Sequence, residues 1–270
     1  MPSALNELRV VAQSTVNFKR YVEDPTLDTS LTYYGEYAEY MRNALATNPI
    51  EEVEKDFVGD FARAYNNNVA QIGGLQVQEL DNQNAVKLSM RFRLPDFLRF
   101  EKKLLTFDLP MMTLMQGLRV PNQAPRTLPL RIYNQGIYRE TIDVAFPDEA
   151  FLKPFSNRFD ERNTHFEVHE KLGGEADTAH FTGELRMLTT QIPAADWQPH
   201  LQRVQKTFTQ LSGNVVFPAV TARQVEQIRA ELAQLDRDYD NGKLKNHTEV
   251  QVRALAEVPV QTAQLDGGRL

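Results

Sequence analysis

Strict alternation of apolar and polar residues between Val86 and Leu94 is the strongest constraint on the fold of this chain. Apolar side chains occupy every second position there, and lysine, serine and two arginines lie between them. Successive side chains of a β-strand point to opposite faces, so this pattern predicts an antiparallel strand with one buried face and one cationic, solvated face. Such a strand requires a sheet that other elements cover on one side only.

Weaker strand patterns recur in both halves of the chain, and helical patterns accompany them. Apolar residues recur at three- and four-residue intervals after Gly35, from Ile50 to Tyr65 and from Trp197 to Leu211, which is typical of one face of a helix. The predicted strands lie at about residues 8–18, 27–34, 75–80, 86–94, 102–109, 142–146, 166–168 and 181–187. We therefore predict an α+β fold of two β-rich, sandwich-like units with associated helices and a C-terminal helix.

Breaks in these patterns predict the domain limits. Four prolines between Pro110 and Pro129 mark the least regular part of the chain and predict a domain boundary or a long crossover. A capping-box pattern at Thr221 predicts the start of a further helix. The first two predicted parts are a β-rich unit with two helices at residues 5–109 and a β-rich unit with a closing helix at residues 110–218. A C-terminal helical segment at residues 219–258 and a disordered tail at residues 259–270 follow.

The composition limits the classes of function. A net charge of -6 and a pI near 5.5 argue against a nucleic-acid binder, because neutralising phosphates requires a basic surface. The chain has no cysteine, which excludes disulfides, thiolate metal sites and a cysteine nucleophile. No apolar run approaches the roughly 18 residues of a membrane span. The first residues lack a basic segment followed by an apolar one, so we expect no signal peptide in this chain.

Four segments of the chain carry a resemblance to a known family. The segment LTYYGEYAEYMRNAL combines a strand that ends in an aromatic residue and glycine with a helix that carries small residues and arginine. The other three, in chain order, are RTLPLRI, YRETIDVAFPDE and TTQIPAADWQPHLQRVQKTF. In this order they resemble the C-terminal accessory region of bacterial transglutaminase-like proteins with flanking domains of unknown function. Gly35, Ala38 and Arg42 match that pattern, and the resemblance covers about residues 5–217.

The resemblance implies a function without catalysis. In that family a papain-like core with Cys, His and Asp lies upstream, whereas this chain has no Cys and no segment that matches the core. The resemblance therefore implies a non-catalytic interaction or scaffold region, with a protein or an extracellular polymer as partner and no cofactor. It also implies an exported parent protein and a periplasmic or cell-envelope location. The expected lack of a signal peptide leaves a cytoplasmic location open.

Histidines are the candidates for a metal site. His165, Glu167 and His169 fall on one face of a predicted strand, and His180 lies on a neighbouring one. Imidazoles and a carboxylate that converge from adjacent strands are suitable ligands for zinc. The alternative is a solvated sheet face, which is the commoner origin of alternating polar residues. We favour the solvated face and keep these four residues as metal candidates.

Tyrosines and basic residues are the candidates for binding. Tyr34 ends a predicted strand, where an exposed ring can stack on a sugar. Tyr37 and Tyr40 are predicted to be buried, because they share a helix face with apolar residues. A local basic cluster predicts either a solvated strand face or a dock for an acidic partner or polymer. Its residues are Arg91, Arg93, Arg99, Lys102 and Lys103.

Two further functions stay open beside the scaffold. One is a carbohydrate- or peptide-binding β-sandwich module. The other is a hydrolase that uses carboxylates or a histidine-bound metal, since glycoside hydrolysis requires two carboxyl groups at a defined separation. The acidic candidates are Asp143, Asp148, Glu149, Asp160 and Glu161. We expect no nucleotide cofactor, because the chain has no glycine-rich phosphate loop.

Overall fold

The fold is dominated by one mixed sheet of eight strands. The computed structural model describes residues 4–20, 23–65, 69–101, 104–120, 125–147 and 152–217, and also residues 230, 231, 233, 234 and 237. All strand, helix and contact assignments below refer to these residues.

The first half contributes four strands and two helices. These are β1 (Leu8–Asn17), β2 (Thr26–Tyr34), α1 (Glu36–Thr47), α2 (Ile50–Ala64), β3 (Ala70–Leu80) and β4 (Ala85–Arg93). Strands β1 and β2 form an antiparallel pair, β3 and β4 form a second, and β2 pairs with β4. The strands and helices predicted in this half are confirmed.

The second half contains a four-stranded part of the main sheet and two small sheets. Its elements are β5 (Arg99–Glu101), β6 (Leu104–Asp108), α3 (Met112–Gly117), β7 (Leu130–Arg131), β8 (Ile137–Ala145), β9 (Leu152–Arg162), β10 (Phe166–Ala176), β11 (Thr178–Met187), β12 (Gln191–Ile192), α4 (Trp197–Leu211) and β13 (Asn214–Phe217). Strands β9, β10, β11 and β8 pair antiparallel in that order. Helix α3 lies in the stretch predicted to be irregular, and β9 is a strand that the sequence did not predict.

A parallel pair in the middle of the sheet joins the two halves. Strand β1 runs parallel to β8, and the strand order is β3-β4-β2-β1-β8-β11-β10-β9. The predicted β-rich α+β class is confirmed. The two predicted units share one sheet, to which each contributes four strands. The limits proposed for the domains stay predictions.

The helices and the apolar core lie on one face of the sheet. One hydrophobic cluster runs through both halves, and its largest fully buried side chains include Phe92, Phe107 and Trp197. Helix α3 packs closely on β11 at Gly183, where an added Cβ would lie 2.5 Å from Leu114 Cδ1. This close approach requires glycine and fixes α3 against the middle of the sheet.

The predicted C-terminal helical segment at 219–258 is described at five positions only. Residues 230, 231, 233, 234 and 237 are helical, and the remaining residues of this segment and the tail at 259–270 lie outside the described residues. Gly213 follows the C-cap of α4 with a φ of 66°. Among the described helices, none has the length and apolar character that crossing a membrane requires.

Candidate functional site: the open face of the sheet

The sheet face opposite the helices is polar and open to solvent. In β4, the side chains of Leu88 and Phe92 are buried, whereas Ser89 is half-buried and Arg91 is exposed. The same alternation recurs along β8 and β11, where core residues face the helices and polar residues face away. We call this surface, formed by the polar residues that alternate with the core positions of the eight strands, the open face.

The strand register aligns one uncharged polar side chain from each of six neighbouring strands. Each residue of this row is the direct Cα partner of the next. The row, here called the neutral row, consists of Gln76, Ser89, Ser30, Gln13, Thr141 and Thr182. Because neighbouring strands lie about 4.8 Å apart, the row extends for about 24 Å across the sheet. It then continues onto Lys171 and Arg158.

The side chains of the neutral row are free to bind a ligand. None of the six has a side-chain hydrogen bond to any residue that the structure describes, and each is exposed or half-buried. Hydroxyl and amide groups both donate and accept hydrogen bonds. The row therefore offers paired donors and acceptors at the regular interval of the strands.

Most charged residues on both sides of the neutral row are paired with one another, although Lys87 of β4 has no ion pair among the described residues. These pairs join neighbouring strands, with N–O distances from 2.5 to 2.8 Å. They are Arg91–Asp28 and His180–Asp143 on one side, and Arg139–Glu184 and His169–Asp160 on the other. In the two arginine pairs the opposite charges neutralise each other, and the row between the pairs presents uncharged polar groups.

Two depressions follow the neutral row across the open face. The larger has a volume of about 650 Å³ and covers the row from Gln76 to Thr141. The smaller, of about 350 Å³, runs from Thr141 past Thr182 and Lys171 to Arg158. Thr141 lines both, so the two depressions meet at β8. We call this combined groove from Gln76 to Arg158 the trough.

A bulge in the edge strand β3 closes one end of the trough. The register shifts between Ile72 and Gln76, and Gly73 has a φ of 77°, which favours glycine. Helix α2 holds this bulge in place, because Glu54 Oε2 accepts a hydrogen bond from the backbone N–H of Leu75 at 2.9 Å. That hydrogen bond lowers the pKa of Glu54. The end wall is therefore anchored to a helix.

Two of the four predicted metal candidates lie together on the open face. His169 Nδ1 is 2.6 Å from Asp160 Oδ1, and His169 Nε2 is 2.7 Å from Glu167 Oε1. Hydrogen bonds to these two carboxylates raise the pKa of His169. The two ring nitrogens point away from each other, so a single ion cannot reach both the imidazole and the two carboxylates in this arrangement.

The other two candidates lie elsewhere. His180 Nδ1 is 2.7 Å from Asp143 Oδ1 on a different row of the open face. His165 is buried directly before the start of β10, where its ring centroid lies 5.3 Å from that of His200. No group of three or more His, Cys, Asp and Glu side chains within the described ranges is arranged to hold a metal ion. The four residues are thus divided among three places.

The predicted binding residues are only partly in the trough. Tyr34 is half-buried on the open face at the end of β2, beyond the neutral row. Arg91 lines the larger depression. Arg93 is exposed two residues further along β4, and its Nε lies 3.8 Å from Asp24. Lys102 lies outside the described residues.

The burial predicted for the helical tyrosines is correct for one and wrong for the other. Tyr37 packs on the core, and its hydroxyl lies 2.8 Å from that of Tyr138. Tyr40 is 72% exposed. The core-facing side of α1 contains Tyr37, Met41 and Leu45, at intervals of four residues, and Tyr40 lies outside it.

The acidic residues proposed for a hydrolase do not form a reactive pair. Asp143 and Asp160 are in the ion pairs described above, and buried Glu161 lies 2.8 Å from Arg203. Asp148 and Glu149 lie outside the described residues. Glu140 was not predicted to be a site residue, although its place in the alternation between apolar Tyr138 and Ile142 indicated that it faces the core.

Glu140 is a buried carboxyl group on the inner face of β8. Its Oε2 accepts hydrogen bonds from the backbone N–H groups of Thr113 and Leu114, at the start of α3. Burial raises the pKa of Glu140 to about 8, although these backbone groups favour the charged form. The carboxyl group of Glu140 therefore lies beneath α3, and its hydrogen bonds join that helix to the sheet.

Comparisons with known proteins give no assignment. No protein-family model matches the chain, and no curated protein matches its sequence. The resemblance to the transglutaminase-like accessory region stays a prediction, and the function is interpreted from the geometry of the open face.

Proposed function

We propose that this protein is a non-catalytic interaction module that binds an extended, uncharged polar chain in the trough. The neutral row carries this proposal, because it combines unengaged donors and acceptors with a regular spacing across six strands. A ligand that lies across the strands meets one side chain of the row per strand, so many weak hydrogen bonds add up along its length. The ligand is held along the row, and the paired charges on both sides confine it.

The ion pairs beside the neutral row support binding rather than catalysis. A general acid or base must reach the proton that it transfers within hydrogen-bond distance. On the open face, the imidazole of His169 is already hydrogen-bonded to the carboxylate of Asp160. The imidazole of His180 is likewise hydrogen-bonded to Asp143. A reaction there would first have to separate these pairs. The expected scaffold role in a cell-envelope protein, implied by the resemblance, is part of the same proposal.

A glycan fits the trough better than a peptide does. Peptides that bind sheets usually add a strand at an edge, where backbone groups are unpaired. The trough instead crosses the strands on a face whose backbone groups are paired within the sheet, so recognition must come from side chains. Hydroxyl-rich chains match the serine, threonine and glutamine side chains of the row. We therefore propose a neutral polysaccharide as the ligand, with a polar protein segment as the second candidate.

Retention on immobilised oligosaccharides tests this function. The full chain is applied to an array of neutral β-linked hexasaccharides, beside the variants Thr141→Trp and Thr178→Trp. Thr141 lies where the two depressions meet, and a tryptophan there fills the trough. Thr178 is half-buried on the same face. It is the first residue of β11 and lies outside the trough. It is therefore the matched control.

We expect Thr141→Trp to reduce retention by at least about tenfold and Thr178→Trp to leave it unchanged, since only the first blocks the hydrogen-bonding row. Circular dichroism and urea unfolding of both variants check that they fold like the parent chain. An array to which the parent chain does not bind would refute the glycan ligand. Equal retention of the parent chain and Thr141→Trp would refute the trough as its site.

A further inference from the structure

A second cavity lies away from the open face, between the end of α3 and the chain around β7. It has a volume of about 300 Å³, which is within the range of small-ligand pockets. Buried apolar side chains line it, among them Leu118, Leu130 and Met187. Among the described residues, none lines both the trough and this cavity.

The mouth of this cavity is cationic. Arg119 and Arg131 line it and are exposed, and neither forms an ion pair with a residue that the structure describes. The guanidinium of Arg131 lies 5.7 Å from the ring centroid of Tyr133, which is 77% exposed and also lines the cavity. The chain from residue 109 to residue 139 contains four arginines and no acidic residue, although the whole protein has a net charge of -6. Two of these arginines, Arg119 and Arg131, line the cavity and make its mouth positive, whereas Arg139 is paired with Glu184 on the open face.

A buried histidine adds a polar contact to the apolar walls. His200 lines the cavity, is 2% exposed, and its Nδ1 has no hydrogen-bond partner among the described residues. Burial and the neighbouring His165 lower the pKa of His200 to about 4, so its ring is neutral near pH 7. A neutral imidazole can accept or donate one hydrogen bond without adding charge. Leaving such a buried nitrogen unpaired is costly, and a ligand atom would satisfy it.

We propose that this cavity binds a small organic anion with an apolar body, such as an alkyl or aryl carboxylate or sulfonate. The apolar body lies against Leu118, Leu130 and Met187, and removal of its surface from water drives binding. The anionic group lies at the mouth, where Arg119 and Arg131 supply charge-assisted hydrogen bonds. This site is independent of the glycan trough, so either can exist without the other.

Two fluorescent probes that share one aromatic body and differ by one sulfonate group test this site. One is 8-anilinonaphthalene-1-sulfonate, and the other is N-phenyl-1-naphthylamine, which has the same aromatic body without the sulfonate. Each is titrated into the full chain and into three variants. The double variant Arg119→Gln/Arg131→Gln removes the charges at the mouth, and Val120→Trp fills the cavity. The double variant Lys19→Gln/Arg162→Gln removes the same amount of charge at exposed residues that line neither the trough nor this cavity, and it is the control.

We expect the loss of Arg119 and Arg131 to weaken binding of the sulfonate at least about tenfold, because two charge-assisted contacts are removed. Binding of the neutral probe should change by less than about twofold, since the apolar walls are intact. Val120→Trp should abolish binding of both probes, and the control should leave both unchanged. The site is refuted if neither probe binds the parent chain or if Val120→Trp has no effect. It is also refuted if both double variants weaken binding of the sulfonate equally.

Discussion

Buried Glu140 is expected to make this protein less stable as the pH rises towards neutrality. Its side chain is on the inner face of β8, and the residue is 4% exposed. Burial raises its pKa from 4.5 to about 8, which outweighs the opposing effect of the N–H groups of Thr113 and Leu114. An unfolded chain hydrates this carboxyl group, so its pKa returns to its ordinary value on unfolding.

The sign and size of the effect follow from these two pKa values. Since the folded-state pKa lies above the unfolded one, the folded protein holds the proton of Glu140 more tightly between them. The stabilisation is fully present below the unfolded pKa of 4.5 and is lost as the pH rises through about 8. Linkage gives a loss of about 3 kcal/mol in the free energy of unfolding between acid pH and pH 7, and about 5 kcal/mol well above pH 8.

Urea unfolding of the parent chain and of Glu140→Gln, measured from pH 4.5 to pH 9, tests this effect. Glutamine keeps the shape and an acceptor for the α3 N–H groups but cannot ionise. We expect the variant to gain about 3 kcal/mol relative to the parent chain between pH 4.5 and pH 7. Curves that stay parallel over this range would refute the reasoning, because they would mean that the helix N–H groups fully offset burial.

Glu184 provides a control with the opposite sign. Its partial burial acts to raise the pKa, but hydrogen bonds and charges from Arg139 and Arg186 outweigh burial and lower it. Its stabilisation is therefore present above its unfolded pKa and is lost as the pH falls through the folded one. As the pH rises from acid to neutral, Glu184→Gln should become less stable than the parent chain, whereas Glu140→Gln should become more stable than the parent chain.

Three further substitutions test other contacts. Gly213→Ala places a Cβ 1.9 Å from the carbonyl oxygen of Leu109 at a φ of 66°, and we expect a loss of at least about 2 kcal/mol by urea unfolding; an unchanged midpoint would contradict this. Tyr37→Phe removes the hydroxyl contact with Tyr138 and should cost about 1 kcal/mol in the same assay, a cost that should vanish when Tyr138→Phe is also present. His169 is stabilising below the unfolded pKa of 6.5, and this is lost as the pH rises through its raised folded pKa. An NMR titration should place that pKa above 6.5, and His169→Gln should cost less than about 1 kcal/mol, because the pair is partly exposed.

Local alternation and periodicity predicted most of the secondary structure. In β4, the choice of residues at successive positions reflects which face of the strand is buried, so the pattern from Val86 to Leu94 is visible without any partner strand. The stripe with Phe57 and Phe61 similarly predicted α2, in which both are buried. Tyr40 was wrongly predicted to be buried. Its closeness in sequence to the apolar residues of α1 does not determine which side of the helix its ring faces.

The candidate site could not be predicted, because it depends on strand pairing rather than on any local pattern. Ser30, Gln13 and Thr141 are each ordinary outward-facing residues of their own strands. They become neighbours only because β1 pairs with β2 on one side and with β8 on the other. The sequence pattern shows which residues face outward but not the register of distant strands. Glu140 shows the opposite case, because the sequence pattern indicated its inward position but it was not recognised as a buried carboxyl group.

The central β1–β8 pair has a consequence for how the chain folds. Residues paired between these two strands lie about 128 positions apart in the chain, whereas β1–β2, β3–β4, β9–β10 and β10–β11 are pairs of consecutive strands. Each half can assemble its own strands early, but closing the middle of the sheet requires a large loop and comes late. During synthesis on the ribosome, β1 is an unpaired edge until β8 emerges. We therefore expect the nascent first half to depend on chaperones, and the slowest refolding phase to be the joining of two preformed half-sheets.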